Sequence, residues 1–386
     1  MKICDESKCF GCCSCLNICP QGAITMVEND YGALIPQIDT DKCIECGLCK
    51  KRCPALSPLP RDTQGRCYAA WSNNPDVCKT SASAGIVTIL SEQIIKNSGV
   101  VFGTQYESGK LVFNCTETRE GLQAFRGSKY VHAYVRNSYR KVKEYLQQGR
   151  FVLFVGTPCQ IAGLKIYLGR DDEKLLTVDL ICHGVAPVPY LQEYVEETLK
   201  LDSYDNILFR GELGETLAVY HNGNAVKTEK KHMSPFYMAY VKGLLHRENC
   251  YICPFASTQR CGDITAGDFW GLDRNGLSID STDVPYISMV LVNTHKGATF
   301  FASVSNEITA EERPISEALA GNGQLNCPCR RHPDRDVFLQ YYQKGEFYKA
   351  LRKTPFYSQM RRQSTKYGIR LMLHNVKRLI IKHKEI

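Results

Sequence analysis

The sequence predicts a mixed α/β protein, α+β overall, with a small cysteine-rich N-terminal domain and a helical C-terminal tail. Three observations predict it. The chain has 20 cysteines in 386 residues, and a cysteine pattern in the first 56 residues occurs twice. From Arg66 onward, β-rich apolar runs alternate with helix-like segments, which is typical of a sheet with parallel strands. After about residue 330 the chain is basic, aromatic and helix-like.

The middle of the chain supplies the α/β elements in order. The apolar and β-branched runs predict strands at 67–71, 99–102, 110–115, 151–155 and 175–181. The segments with helical periodicity predict helices at 85–96, 139–147 and 190–200. A hairpin insertion is expected over 205–230. These elements divide the chain into four parts, at 1–58, 66–148, 149–325 and 326–386, with a Pro-rich linker after Cys53.

The N-terminal repeat has a spacing that indicates iron–sulfur clusters. Both copies read CxxCxxCxxxCP, the spacing of bacterial ferredoxins with two 4Fe-4S clusters. A tight loop places three thiolates on one iron cube, and the proline aims the fourth cysteine at the other cube. The first site is therefore assigned to Cys9, Cys12, Cys15 and Cys53, and the second site to Cys43, Cys46, Cys49 and Cys19. The alternative, structural zinc, favours two CxxC pairs separated by a long spacer.

A further set of cysteines occurs in the α/β region. Cys159 and Cys182 each follow a predicted buried strand, where open α/β sheets place their functional sites. Pro158 suits the first turn of a helix, and a helix N-terminus is expected to lower the pKa of the Cys159 thiol. With the CxxC loop of Cys250 and Cys253, these thiols could enclose a third cluster, called the third site below. A redox dithiol or unrelated buried thiols remain alternatives, and Cys261 is a competing ligand.

Two segments could hold a flavin, the cofactor that couples one-electron clusters to two-electron chemistry. The small-residue turn containing Ser81, Ser83 and Gly85 opens an apolar helix, whose free amides suit a diphosphate. The second segment surrounds a glycine with cations and hydroxyls, and consists of Arg126, Gly127, Ser128, Lys129 and Tyr130. An ordinary helix cap and a solvated basic turn are the alternatives. A GxGxxG fingerprint for nicotinamide binding is missing from the sequence.

Taken together, these segments resemble the coenzyme F-420 hydrogenase/dehydrogenase beta-subunit family. The resemblance extends over about 66 to 275 and is most specific in the stretches that begin at Gly156 and Gly262. It implies FAD and a 4Fe-4S cluster in the α/β domain, and it implies that Cys159, Cys182, Cys250 and Cys253 are the cluster ligands. The turn at 81–85 reads SASAG, where the family commonly has SSSGG. The family's archaeal members use a deazaflavin coenzyme, but the resemblance does not fix the substrate here.

The sequence thus predicts a cytoplasmic flavin-dependent iron–sulfur oxidoreductase. Electrons from a soluble ferredoxin or redox partner protein would pass through three clusters to FAD, whose N5 would deliver hydride to a small organic acceptor, or the reverse. The alternative is an electron-relay subunit of a larger complex. The +8 formal charge falls to about +2 with three anionic clusters, so no nucleic-acid partner is expected. No transmembrane segment is expected, and the tail from Lys366 to Ile386 could contact a membrane surface.

Overall fold

The computed structural model describes residues 2–59, 65–210, 213–275, 277, 284 and 286–363. Its strands are β1 Ile24–Glu28, β2 Leu34–Ile38, β3 Arg66–Ser72, β4 Val100–Glu107, β5 Lys110–Thr116, β6 Val152–Gly156, β7 Leu175–Leu180, β8 Asn206–Leu208, β9 Thr216–His221, β10 Asn224–Lys230, β11 Ile264–Asp268, β12 Ser288–Val292 and β13 Ile308–Glu312. Its α-helices are α1 Ser14–Ile18, α2 Leu48–Lys51, α3 Pro75–Thr80, α4 Ile86–Lys96, α5 Ser138–Gln147, α6 Pro158–Leu168, α7 Val188–Glu193, α8 Pro235–Val241, α9 His295–Ala302, α10 Ile315–Gly321, α11 Arg335–Tyr341 and α12 Phe347–Arg352. Helix α7 continues as a π-helical turn over Tyr194–Thr198.

An eight-stranded sheet forms the centre of the molecule, in the order β13-β3-β12-β11-β7-β6-β4-β5. Strands β11, β7, β6 and β4 run parallel, and the outer pairings on both sides are antiparallel. The predicted α/β class with parallel central strands is therefore confirmed. The parallel strands are almost fully buried, as a sheet covered on both faces requires.

The N-terminal domain is small and rests on α6 and its surroundings. It consists of the hairpin β1–β2 and the short helices α1 and α2. Three arginines fasten it to the rest of the molecule through backbone carbonyls. Arg52 donates to Ile166 O, Arg140 donates to Asn17 O and Cys19 O, and Arg247 donates to Cys9 O. These charge-assisted bonds fix the cysteine-rich loops against the sheet domain.

The remaining elements agree with the sequence in outline and add detail. The predicted insertion at 205–230 is a three-stranded antiparallel sheet, in which β9 and β10 form the hairpin and β8 joins β9. The tail after 330 forms α11 and α12, as expected, and residues 366–386, where the membrane contact was predicted, lie outside the described residues. No helix in the described part of the chain is both long and apolar enough to cross a membrane.

Candidate functional site

The cysteines of the first site surround a small cavity in the N-terminal domain. Cys9, Cys12, Cys15 and Cys53 all line it. A fifth thiol, Cys4, lines it as well and hydrogen-bonds to Cys9 and Cys53. The Cys4 contact, more than any other interaction, lowers the pKa of Cys9 to about 6 and that of Cys53 to about 7. This role of Cys4 had no signal in the sequence, because the residue lies outside the repeat.

The second site lies nearer the surface than the first. Burial is the main cause of the raised pKa of Cys49. Negative charges at Cys43 and Cys46 would raise this pKa further. Cys49 and Cys19 pack against the same small core formed by Ile3, Ile24 and Cys53. Cys46 is exposed, whereas three of the four first-site cysteines are buried. An external electron donor can therefore approach the second site more closely than the first.

The third-site cysteines converge from three separate segments. Cys159 lies in the first turn of α6, directly after β6, and Cys182 follows β7. Helix α6 starts with a capping box in which Thr157 and Gln160 bond each other's backbone, and Pro158 occupies the first turn. The CxxC loop of Cys250 and Cys253 supplies the other two thiols. The parallel pairing of β6 with β7 is what brings Cys159 and Cys182 to one edge of the sheet.

These four thiols lie within electrostatic range of one another. The pKa of Cys182 is raised well above its usual value by burial and then by charges at Cys250, Cys159 and Cys253. Burial likewise raises the pKa of Cys159 to about 12, with further contributions from Cys253 and Cys250. The prediction that the pKa of Cys159 is lowered is wrong, because desolvation outweighs the hydrogen bond from Thr157 and the charge of Arg247. Metal binding would therefore release protons from these thiols.

The competing cysteine has other surroundings. The backbone N–H of Cys261 donates to the Asp179 carboxylate, and its side chain packs in the main core. Asp179 also pairs with Arg260 at 3.1 Å and accepts from Gly262, so this buried network fixes the loop before β11. A Cβ on Gly262 would lie 2.7 Å from the Asp179 backbone nitrogen, which explains the glycine at this close approach.

The donor set suits a polynuclear cluster better than one ion. Within the described residues, no three His, Cys, Asp or Glu side chains are grouped closely enough for a single metal ion. A tetrahedral zinc site needs sulfurs about 3.8 Å apart, given the Zn–S bond length of about 2.3 Å. The third-site thiols interact without closing to such a point. Four cysteine thiols are the ligand set that a 4Fe-4S cube uses, so the residues present fit that group.

Packed side chains connect the surroundings of the first and third sites. Tyr139 is fully buried, and burial is the main cause of its raised pKa. Thiolates at Cys12 and at Cys159 would raise this pKa further. Phe10, beside Cys9, packs edge-on against Phe255, with ring centroids 5.2 Å apart.

Glycine at position 163 permits this close packing, and a substitution there tests it. A Cβ at Gly163 in α6 would lie 3.0 Å from Cys12 Cβ and 2.8 Å from Tyr139 Oη. We expect Gly163→Ala to lower the free energy of unfolding by about 1–3 kcal/mol, because overpacking exceeds the helix-propensity gain. The measurement is chemical denaturation. Gly323→Ala, with open space around the added carbon, is the control, and equal stability in both variants would contradict the tight contact.

A cavity of about 520 Å³ adjoins the third site, a volume typical of small-molecule sites. Its wall includes Cys182 and His183 at one place and both predicted flavin-binding segments elsewhere. The predicted segment residues that line it are Ser81, Ser83, Gly85, Arg126, Gly127, Ser128, Lys129 and Tyr130. The structure therefore brings together segments that are far apart in sequence. His183 has a lowered pKa, caused mainly by burial.

Comparison with known proteins identifies two segments of the chain. Residues 149–318 match the family that describes the C terminus of the coenzyme F420 hydrogenase/dehydrogenase beta subunit, and residues 8–56 match the 4Fe-4S dicluster domain. This chain joins a 4Fe-4S dicluster domain to a domain of the F420 hydrogenase/dehydrogenase beta-subunit family. The resemblance inferred from the sequence is confirmed.

Three curated relatives and one solved structure are similar to parts of the chain. An uncharacterized polyferredoxin-like protein and an uncharacterized ferredoxin, both of Methanocaldococcus jannaschii, are 37% and 35% identical over 15% of this chain each. Pyruvate synthase subunit PorD of Methanothermobacter marburgensis is 36% identical over 13%. These matches span 43%, 73% and 52% of the relatives' own lengths. A chain of the F420-reducing NiFe hydrogenase complex from Methanosarcina barkeri aligns over 76% of this chain and 90% of its own length, at 18% identity and a TM-score of 0.45.

Proposed function

We propose that this chain is a flavin-dependent iron–sulfur oxidoreductase that passes electrons between a protein partner and a small organic substrate. Electrons would enter at the second site, cross the first and third sites, and reach FAD in the cavity, or run in reverse. The observation that carries the proposal is the position of Cys182. This residue lies within electrostatic range of the other three cysteines of the third site and also lines the cavity.

The order of the three sites follows from their exposure. The second site includes the exposed Cys46, and the first site is buried against the sheet domain. Cys12 of the first site lies against α6, in which Cys159 of the third site occupies the first turn. Bound 4Fe-4S clusters exchange single electrons, and a bound flavin couples them to two-electron chemistry. The protein's part is to hold these groups in sequence and to keep water from the inner two.

The cavity residues fit a flavin with a diphosphate. Gly85 has a φ of +83° at the start of α4, and it lines the cavity together with Ile86 and Val87 of the first turn of that helix. The free amides of a helix N-terminus suit a diphosphate. Arg126 donates to Thr80 through one nitrogen, and its buried Nε has no acceptor among the described residues. Such an unsatisfied donor beside a helix N-terminus suits a phosphate oxygen.

Lys129 gives this binding site a pH dependence. Its Nζ donates to the carbonyls of Phe125 and Arg126, and burial lowers its pKa to about 7. An anionic ligand prefers the protonated ammonium, so we expect FAD affinity to be highest below pH 7 and to fall as pH rises through it. The measurement is FAD binding to deflavinated protein across pH 6–9. Lys129→Met should bind more weakly and show a flat profile, whereas an unchanged slope would contradict the role of Lys129.

Stepwise reduction of the full chain tests the proposed function. Reduced ferredoxin, added anaerobically, is expected to bleach the cluster absorbance first and then the flavin absorbance. Cys46→Ser, which alters only the exposed second site, should slow both phases when ferredoxin is the donor. Rapid cluster reduction with permanently oxidised flavin would contradict the proposal. Dye reduction without turnover of any organic acceptor, even with reduced flavin, would identify the chain as a relay subunit instead.

A further inference from the structure

Arg210 is a buried cation in the wall of the cavity. It follows β8, its side chain is only 5% exposed, and it pairs with Asp268 through Nη1. Its guanidinium lies 4.3 Å from the ring centroid of Tyr286 and 5.4 Å from that of Trp270. The two rings hold the plane of the guanidinium in a fixed orientation.

One whole edge of this guanidinium has no acceptor among the residues that the structure describes. Nε and Nη2 are buried and bond no atom of the described residues, and Oδ1 of Asp268 is also unpaired. Nε and Nη2 form the side-on fork with which arginine binds the two oxygens of a carboxylate or phosphate. Buried donors left unpaired are costly, so this edge gains from any oxyanion that reaches it.

Arg210 and Lys231 are two cations in the wall of the cavity, and only the Arg210 side chain of these two has buried donors without an acceptor among the described residues. Lys231 is already paired with Glu215 at 2.7 Å. His183 lines the same cavity. Cys182 of the third site directly precedes His183 and lines the same cavity. An anion at Arg210 would thus lie in the cavity that the third site adjoins.

We propose that Arg210 binds a carboxylate of the organic substrate, so that the substrate class is an organic acid. This inference rests on the proposed function, because it names the substrate of the same cavity. The shared chemistry is an oxyanion that accepts two hydrogen bonds from one guanidinium edge, and the FAD diphosphate is the other possible source. Asp268 occupies the remaining nitrogen and competes for the cation, so it limits the affinity of the fork for the anion.

Calorimetric titration of the full chain with oxalate tests whether Arg210 binds a carboxylate. The FAD content is quantified in the same sample. We expect oxalate to bind, Arg210→Lys to weaken binding by about tenfold because a point charge replaces the fork, and Asp268→Asn to tighten it. The FAD content should stay unchanged in both variants. Arg136→Lys, in the surface pair with Glu107, is the control and should bind oxalate like the original chain.

Three outcomes would overturn the inference. These are no heat of binding with oxalate, equal affinity in Arg210→Lys and the original chain, and a loss of FAD in Arg210→Lys, which would assign the fork to the flavin diphosphate. If the unsubstituted chain carries no FAD but binds oxalate through Arg210, the proposed function is refuted. The anion site at Arg210 is then still supported. If the unsubstituted chain carries FAD but does not bind oxalate, only the anion site at Arg210 is refuted.

Discussion

Cys182→Ser is expected to reduce the iron content of the chain from about twelve atoms to about eight, because one of three cubes loses a ligand. The N-terminal domain would keep its two clusters. Reduced ferredoxin should still reduce those clusters, but flavin reduction should fall to the background rate. The physical reason is that Cys182 is the thiol shared by the third site and the cavity wall. Iron analysis and stopped-flow reduction of the same preparation measure both effects.

Cys261→Ser is the matched variant for this experiment. Cys261 is also a buried cysteine, eight positions after Cys253, and it lies against the Asp179 network. It should retain about twelve irons and normal flavin reduction. If Cys261→Ser lost four irons while Cys182→Ser kept them, the ligand assignment of the third site would be wrong.

Arg247→Met is expected to damage both stability and electron transfer. The Arg247 side chain is buried and donates to the carbonyls of Cys9 and Leu34 across the boundary with the N-terminal domain. Losing these bonds leaves two carbonyls unpaired, at a cost of about 2–4 kcal/mol in the free energy of unfolding. Denaturation of the holoprotein measures this cost.

The same substitution should shift the cluster potentials. The charge of Arg247 acts to lower the pKa of the thiols Cys9, Cys159 and Cys250, so it acts on the first and third sites together. Reduction adds negative charge to a cluster, so removing the cation should make both potentials more negative, by on the order of 50 mV. Potentiometric titration followed by electron paramagnetic resonance measures this shift.

Two further variants separate charge from anchoring. Arg247→Lys keeps the charge, so it should be destabilised yet retain nearly normal potentials. Arg52→Met removes a comparable anchor to Ile166 O and should lower stability without a shift at the third site. Unchanged potentials in Arg247→Met would show that Arg247 is only a structural anchor.

The parts of the fold set by local pattern were predictable from the sequence. The runs at 151–155 and 175–181 are apolar enough to indicate buried strands, and the structure has β6 and β7 there. The spacing of the N-terminal cysteines is dictated by the shape of an iron cube, and the four assigned to the first site line one cavity. Strands β11 and β13 were not assigned, because ITAGD and ITAEE are short and partly polar and pair only with distant segments.

The interactions that tune the site could not be read from the sequence. Arg247 contacts a carbonyl 238 residues away, and Arg210 pairs with a carboxylate 58 residues away. No periodicity or spacing marks such partners, because the fold alone brings them together. The pKa of Cys159 was misjudged for the same reason, since burial of its thiol depends on packing by other segments.

Quantifying iron, sulfide and flavin in anaerobically purified protein tests most directly whether three cluster sites lead to a flavin cavity. Four irons and four sulfides for each cube give about twelve of each per chain, together with one FAD. About eight irons would show that the thiols of Cys159, Cys182, Cys250 and Cys253 hold no cluster. Twelve irons with no flavin would leave the cavity without the group that the electron path requires, and would contradict the proposed function.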